Sequence, residues 1–345
     1  MESTQVDRQW TALVADAALA EAARKVAPHF PEFELVLRPD GEYPPRQVSE
    51  RCQALVTQSA TVDRTQLESM PGLRVVLKMG CNYCNVDADA VRQRGLVFAC
   101  APRKGPNCVA ELALTLILSL SKDLLVSHRS VAQGAYRLRG LKPEPSAQWK
   151  MAFHWMQNER VHEIRNKVLG IVGMGEIGCE LARRANVMGM RVIYTRRTPL
   201  SPELERRFAA EFRVLDALLA ESDFVCLAVP HTAETARMIG SDQLARMRST
   251  AYLVNICRGG VVDEAALIQA LQTRQLAGAG LDVFTLEPLQ ADSPLCSLDN
   301  VILTPHIGGG TGSNYQLELG EALRELGHIL AGGRPHVDVS SSPHP

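Results

Sequence analysis

Lys167-Val-Leu-Gly-Ile-Val-Gly173-Met-Gly175-Glu-Ile-Gly178, followed after a helical run by Arg191-Val-Ile-Tyr-Thr195-Arg196-Arg197, decides the fold of this 345-residue chain. Residues 168–172 form an apolar run without polar alternation, the pattern of a strand buried on both faces of a parallel sheet. Gly173-x-Gly175-x-x-Gly178 follows directly. Ile177, Leu181, Ala185 and Met188 then recur at helical spacing, and 192–194 reads as a second strand. Strand, tight turn, helix and strand are the context that a dinucleotide-binding fingerprint requires. In that reading Gly173 makes the turn, Gly175 lets backbone approach a pyrophosphate, and Gly178 lets the helix pack on the sheet. Met174, Glu176 and Ile177 complete the segment, and the helix N-terminus offers N–H groups and a positive dipole end to phosphate. Glycines placed for a tight turn alone would leave the same pattern.

The second strand bears on the choice of cofactor. An NAD site usually carries Asp or Glu roughly 20 residues on, bonded to the ribose 2′-hydroxyl. That place holds Thr195, then Arg196, Arg197 and Thr198, and the next acid is Glu203. Guanidiniums and hydroxyls suit a 2′-phosphate, with no carboxylate to repel it. The expectation is NADP(H), with NAD(H) use left open; the plain alternative is a solvated basic turn.

The length suggests two domains. With 46% hydrophobic and 22% charged residues the chain can bury sizeable cores, and a formal net charge of −1 gives no reason to expect a nucleic-acid partner. Nine cysteines are scattered, several inside apolar runs, which fits reduced thiols in a core. Cys81-x-x-Cys84 lacks a second pair or a nearby His, so no metal site is expected. The N-terminus carries no basic-then-apolar signal and no apolar run approaches membrane-spanning length, so the expected location is cytoplasmic with no membrane association.

Residues 1–105 read as a small α/β unit, with strands at 11–14, 33–37, 54–56, 73–77 and 97–99 and helical patterns such as 17–26 and 87–93. Alternation of this kind argues a parallel, doubly wound sheet. A long apolar helix from 109 to about 125 follows. The 134–166 connection is irregular and reads equally as an active-site cover or a surface loop. Later strands are expected near 168–172, 192–195, 224–229, 252–256, 279–283 and 301–304, with helices around 176–188, 241–247 and 263–272. A final helical run near 312–330 is expected to complete the first domain. The fold class is therefore α/β, with a nucleotide-binding Rossmann domain, 106–312, inserted into a flavodoxin-like substrate domain, 1–105 completed by 313–345.

Three motifs fall just past the carboxyl ends of the later strands, the edge where open parallel sheets bind ligands. They are Asn255-Ile-Cys257-Arg258-Gly259-Gly260, Gly280-Leu-Asp282-Val-Phe-Thr-Leu-Glu287-Pro288, and Thr304-Pro305-His306-Ile-Gly308. Reducing a 2-keto acid by hydride needs a cation for the carboxylate and a proton for the carbonyl oxygen. Arg258 offers a planar fork that stays charged. His306 is the natural proton donor, since a histidine ordinarily titrates near 6.5 (roughly). Glu287 would bond the far imidazole nitrogen, orient the ring and raise its pKa. Asp282 could accept a bond from the nicotinamide carboxamide. Taken singly, each has a bland reading as a surface arginine, a loop acid or a structural histidine; their succession behind a dinucleotide turn favours the catalytic one.

At these motifs the sequence resembles the D-isomer-specific 2-hydroxyacid dehydrogenase family over nearly its whole length. The resemblance implies the catalytic set Arg258, Glu287 and His306, a substrate domain built from both chain ends, and a homodimer formed mainly through the nucleotide domain. Tyr194-Thr-Arg-Arg is similar to the NADPH-preferring glyoxylate and hydroxypyruvate reductases. Substrate-side departures stand out. Where the family commonly has Gly-x-Gly, with amides that contact the substrate carboxylate, this chain has Gly80-Cys81-Asn82. Cys81 and Asn82 are thus candidate substrate residues, with the Asn82 Cβ either narrowing the approach or its amide making the contact. Pro102-Arg103-Lys104-Gly105 replaces Pro-Gly-x-Asn, and its two cations could read a second anionic group or simply lie solvated in a hinge. Glyoxylate and hydroxypyruvate are the first candidate substrates. The alternatives are oxidation of phosphite or of a larger or dianionic 2-hydroxy acid, and a non-catalytic dinucleotide-sensing scaffold like the family's corepressors.

Overall fold

The computed structural model describes residues 10–38, 45–80, 83, 85–101, 105–145, 155–309 and 314–339. The chain divides into two compact units, 1–104 with 311–345, and 105–310.

The first unit opens with β1 (Trp10–Val14), α1 (Ala20–Val26, entered through a 3₁₀ turn), β2 (Phe33–Leu37), α2 (Arg46–Ser49) and β3 (Ala54–Thr57). It continues with α3 (Arg64–Glu68), β4 (Val75–Met79), α4 (Ala88–Gln93) and β5 (Val97–Ala101). The five strands are all parallel in the order β2-β1-β3-β4-β5. One face carries Val14, Val56, Leu77 and Ala99, and the other carries Leu13, Leu55, Val76 and Phe98, so β1, β3, β4 and β5 are buried on both sides. Asp16, just past β1, is 5% exposed and ties the turn after β3. Its carboxylate accepts from the Gln58 N–H (2.6 Å), the Ser59 N–H (2.7 Å), the Ser59 hydroxyl (2.6 Å) and the Ala60 N–H (2.9 Å).

The second unit begins with α5 (Gly105–Ser121) and α6 (Leu124–Ala132), then β6 (Val168–Val172), α7 (Glu176–Val187), β7 (Arg191–Thr195), α8 (Pro202–Phe208) and β8 (Ala210–Phe212). It closes with α9 (Leu215–Glu221), β9 (Phe224–Leu227), α10 (Ser241–Arg246), β10 (Tyr252–Asn255), α11 (Glu264–Gln272), β11 (Gly278–Leu281) and β12 (Val301–Leu303). The seven parallel strands run β12-β11-β10-β9-β6-β7-β8, and the order reverses between β6 and β9. That reversal is the switch point at which doubly wound sheets bind nucleotides. α12 (Asn314–Leu330) returns to the first unit, where Leu319, Ala322, Leu323 and Leu326 are fully buried against its sheet.

The expected helix over 109–125 differs in detail. It starts at Gly105, stops at Ser121, and resumes as α6 after Asp123, whose left-handed backbone (φ 45°) breaks the helix. Three short elements near the nucleotide turn, α8, β8 and α9, are absent from the sequence reading. No described helix is long and apolar enough to cross a membrane.

Candidate active site

Gly173 lies at φ +103°, and a Cβ there would come 2.5 Å from the Ala228 carbonyl oxygen, so only glycine turns the chain out of β6 at this point. A Cβ on Gly178 would come 2.4 Å from the Gly173 carbonyl oxygen, so α7 packs its first turn directly on the loop. Gly175 behaves differently: a Cβ would meet nothing within 4 Å. It caps α7 without any side-chain hydrogen bond, and its missing side chain leaves space open before the helix N-terminus. A pyrophosphate fits such a cradle. Glu176 is exposed and Ile177 half-buried. The Met174 side chain is in the core, 2% exposed, so only its backbone can serve a cofactor.

β7 delivers Thr195, half-buried, and Arg196 and Arg197, both exposed. The Thr195 carbonyl accepts the Gly173 N–H at 2.9 Å, and an Arg196 guanidinium nitrogen lies 3.5 Å from the Met174 carbonyl. Arg196 therefore lies beside the glycine turn, and Arg197 follows it on the exposed side of the chain.

Beyond β10, the Arg258 backbone is extended and its guanidinium exposed, with Nη1 donating to the Cys257 carbonyl at 2.6 Å. The Asn255 side chain braces this turn, accepting the Cys257 N–H (3.1 Å) and donating to the Arg258 carbonyl (3.2 Å). Gly259 lets the turn press against the loop after β11. A Cβ there would fall 1.9 Å from the Phe284 carbonyl carbon.

That loop carries Glu287. Its Oε1 accepts the Phe284 N–H at 3.1 Å, and its Oε2 lies 2.6 Å from Nδ1 of His306. Burial by itself would raise the Glu287 pKa. The bonds from His306 and the Phe284 N–H, with the charges of His306 and Arg258, outweigh it and hold the carboxyl below its ordinary value.

His306 sits at φ +54°, a left-handed conformation that a non-glycine residue adopts only when its surroundings impose it. Asp282, 1% exposed, imposes it. Its backbone carbonyl accepts the His306 N–H at 3.0 Å. Its carboxylate accepts the Thr304 hydroxyl (2.7 Å), the Ile307 N–H (2.9 Å) and the Gly308 N–H (2.9 Å). A carboxylate has about four acceptor positions, so roughly one is left for the expected carboxamide contact. This caging of the histidine turn is invisible in the motif, as is the close approach at Gly259. Cys81, Asn82, Arg103 and Lys104 lie outside the described residues.

Comparison with known proteins identifies the family of the chain. The family model for the D-isomer-specific 2-hydroxyacid dehydrogenase NAD-binding domain matches residues 114–308. Glyoxylate reductase of Pyrococcus furiosus is 40% identical over 300 residues, covering 86% of this chain and 84% of its own. Glyoxylate/hydroxypyruvate reductase B of Yersinia pestis is 38% identical over 276 residues, covering 80% of each chain. The crystal structure of a glyoxylate reductase from Paecilomyes thermophila superposes with a TM-score of 0.68 at 28% identity, covering 96% of this chain and 98% of its own.

Proposed function

The chain belongs to the D-isomer-specific 2-hydroxyacid dehydrogenase family, whose members are nicotinamide-dependent oxidoreductases, and on that premise we propose an NADP(H)-dependent reductase of small 2-keto acids, glyoxylate or hydroxypyruvate first. The observation that carries the reading is the 2.6 Å bond between His306 and Glu287 beside the exposed Arg258. Arg258 grips the substrate carboxylate through its planar fork. With Nδ1 committed to Glu287, Nε2 is the His306 nitrogen that gives its proton to the carbonyl oxygen. Glu287 keeps the ring oriented and offsets the positive charge of the imidazolium. Asp282 holds the turn on which the ring is mounted. When bound, the nicotinamide supplies the hydride that reduces the keto carbon.

Gly173, Gly175, Gly178 and the backbone of Met174, Glu176 and Ile177 would cradle the pyrophosphate, while Thr195, Arg196 and Arg197 would take the 2′-phosphate. No acid follows β7 before Glu203, which supports NADP(H) over NAD(H). The test is NADPH oxidation against a panel of small, dianionic and aromatic 2-keto acids. Turnover is expected with glyoxylate and hydroxypyruvate, and none with any 2-keto acid would overturn the reading.

The functional particle in this proposal is a homodimer joined through the nucleotide unit. Leu124, Leu125 and Val131 of α6 are 51%, 43% and 54% exposed, which suits a face covered by a second copy. Sedimentation should give twice the 37.7 kDa chain mass.

A further inference from the structure

The loop from Arg196 to Leu200 carries the two guanidiniums set against the 2′-phosphate, and both its ends are tied to fixed points. At its start the Thr195 carbonyl accepts the Gly173 N–H at 2.9 Å. At its far end the Leu200 N–H donates to the Tyr194 hydroxyl at 2.8 Å, and that hydroxyl donates in turn to Glu205 Oε1 at 2.8 Å. Tyr194 is 0% exposed, and its ring stands edge-on to Phe212 at 5.7 Å. A phenol fixed in the core thus closes the loop onto itself, the side chain of residue 194 holding the backbone of residue 200. Glu205, in the first turn of α8, extends the tie to the next helix. Between the two ends, Arg196, Arg197 and Thr198 are exposed.

We propose that the Tyr194 hydroxyl is a positioning residue for cofactor selection, holding the 196–200 loop in the shape in which Arg196 and Arg197 meet a 2′-phosphate together. The inference rests on the NADP(H) reading above. Two long cationic side chains on an unpinned loop must lose backbone and rotamer freedom when they converge on one anion. A loop already closed has lost the backbone part before the cofactor arrives. The 2′-hydroxyl of NADH makes no such demand, so the tie bears on NADPH affinity and leaves NADH affinity nearly untouched.

Tyr194→Phe removes the single oxygen and keeps the ring in its place. The measurement is calorimetric titration of wild type and variant with NADPH and with NADH, beside a thermal melt of each protein. Loss of one positioning hydrogen bond is expected to raise the NADPH Kd about tenfold while the NADH Kd stays within about twofold. Equal weakening of both cofactors, or of neither, in a wild-type-like fold would overturn the positioning role. Equal affinity of the wild type for both cofactors would overturn the NADP(H) reading and this inference with it. Should Tyr194→Phe fail to fold, Glu205→Ala applies the same test from the half-buried partner. It should weaken NADPH selectively, with Glu205→Gln restoring affinity through its remaining acceptor, and an unchanged NADPH-to-NADH ratio in Glu205→Ala would overturn the proposal.

Discussion

Nδ1 of His306 and Oε2 of Glu287 stand 2.6 Å apart, although nineteen residues separate them, because the loops after β11 and β12 converge at one edge of the seven-stranded sheet. The pair commits one imidazole nitrogen to a carboxylate and leaves Nε2 for the proton transfer proposed above. His306→Gln retains a side chain of similar reach without a proton to give. Turnover is expected to fall by about 10²- to 10⁴-fold, the usual contribution of general acid catalysis. The NADPH Kd from fluorescence titration should not change.

Glu287 is held below its ordinary value by its bonds to His306 and the Phe284 N–H, against the opposing effect of burial. Its charge is therefore present throughout the working range, and no limb of a pH–rate profile between about pH 5 and 8 belongs to it. Glu287→Gln removes that charge at every pH in the range. Steady-state assays should show turnover lowered by about 10- to 100-fold at each pH, not a loss confined to the acid side.

Gly175 and Gly259 separate binding from folding. Gly175 has φ −90°, and an added Cβ meets nothing, so Gly175→Ala should leave the melting temperature near wild type and weaken dinucleotide binding at least about tenfold by filling the cradle. At Gly259 the added Cβ would sit 1.9 Å from main-chain carbon of Phe284, which cannot swing aside. Gly259→Ala should cost about 2–4 kcal/mol in denaturant unfolding and displace Arg258.

How much of this was legible depends on whether the signal was local. The strand 168–172 declares itself because a strand buried on both faces must be apolar throughout. Arg258, Glu287 and His306 could be read as residue types placed after strand ends. α8 escaped although Ser201-Pro202 is a readable start, and the Ser201 hydroxyl does accept the Leu204 N–H, because seven residues give little periodicity. The break at Asp123 escaped because a left-handed residue between two apolar helical runs leaves no gap in their periodicity. Asp282 and Tyr194 show the deeper limit. One reads as a cofactor ligand and the other as the end of a strand, yet their hydrogen bonds depend on chain that folds back from 26 and 6 residues away.

Asp16 offers a stability test in the first unit. Burial opposes its ionisation, but the Ser59 hydroxyl and the N–H groups of Gln58, Ser59 and Ala60 more than compensate, so its pKa is lowered on folding. A depressed carboxyl stabilises fully above its unfolded value, about 3.9, and the contribution is lost as pH falls through the lower folded value. Asp16→Asn turns an amide toward N–H donors and should cost about 2–4 kcal/mol near neutrality. Urea unfolding of wild type should lose stability on acidification below about pH 4 more steeply than that of the variant.

The central claim is tested most directly by kcat/KM for NADPH and for NADH, measured on the wild-type protein with saturating glyoxylate. The two arginines after β7 predict NADPH favoured by at least about tenfold, a difference of about 1.4 kcal/mol at the 2′-position. Equal efficiency with NADH, or no oxidation of either cofactor, would contradict it.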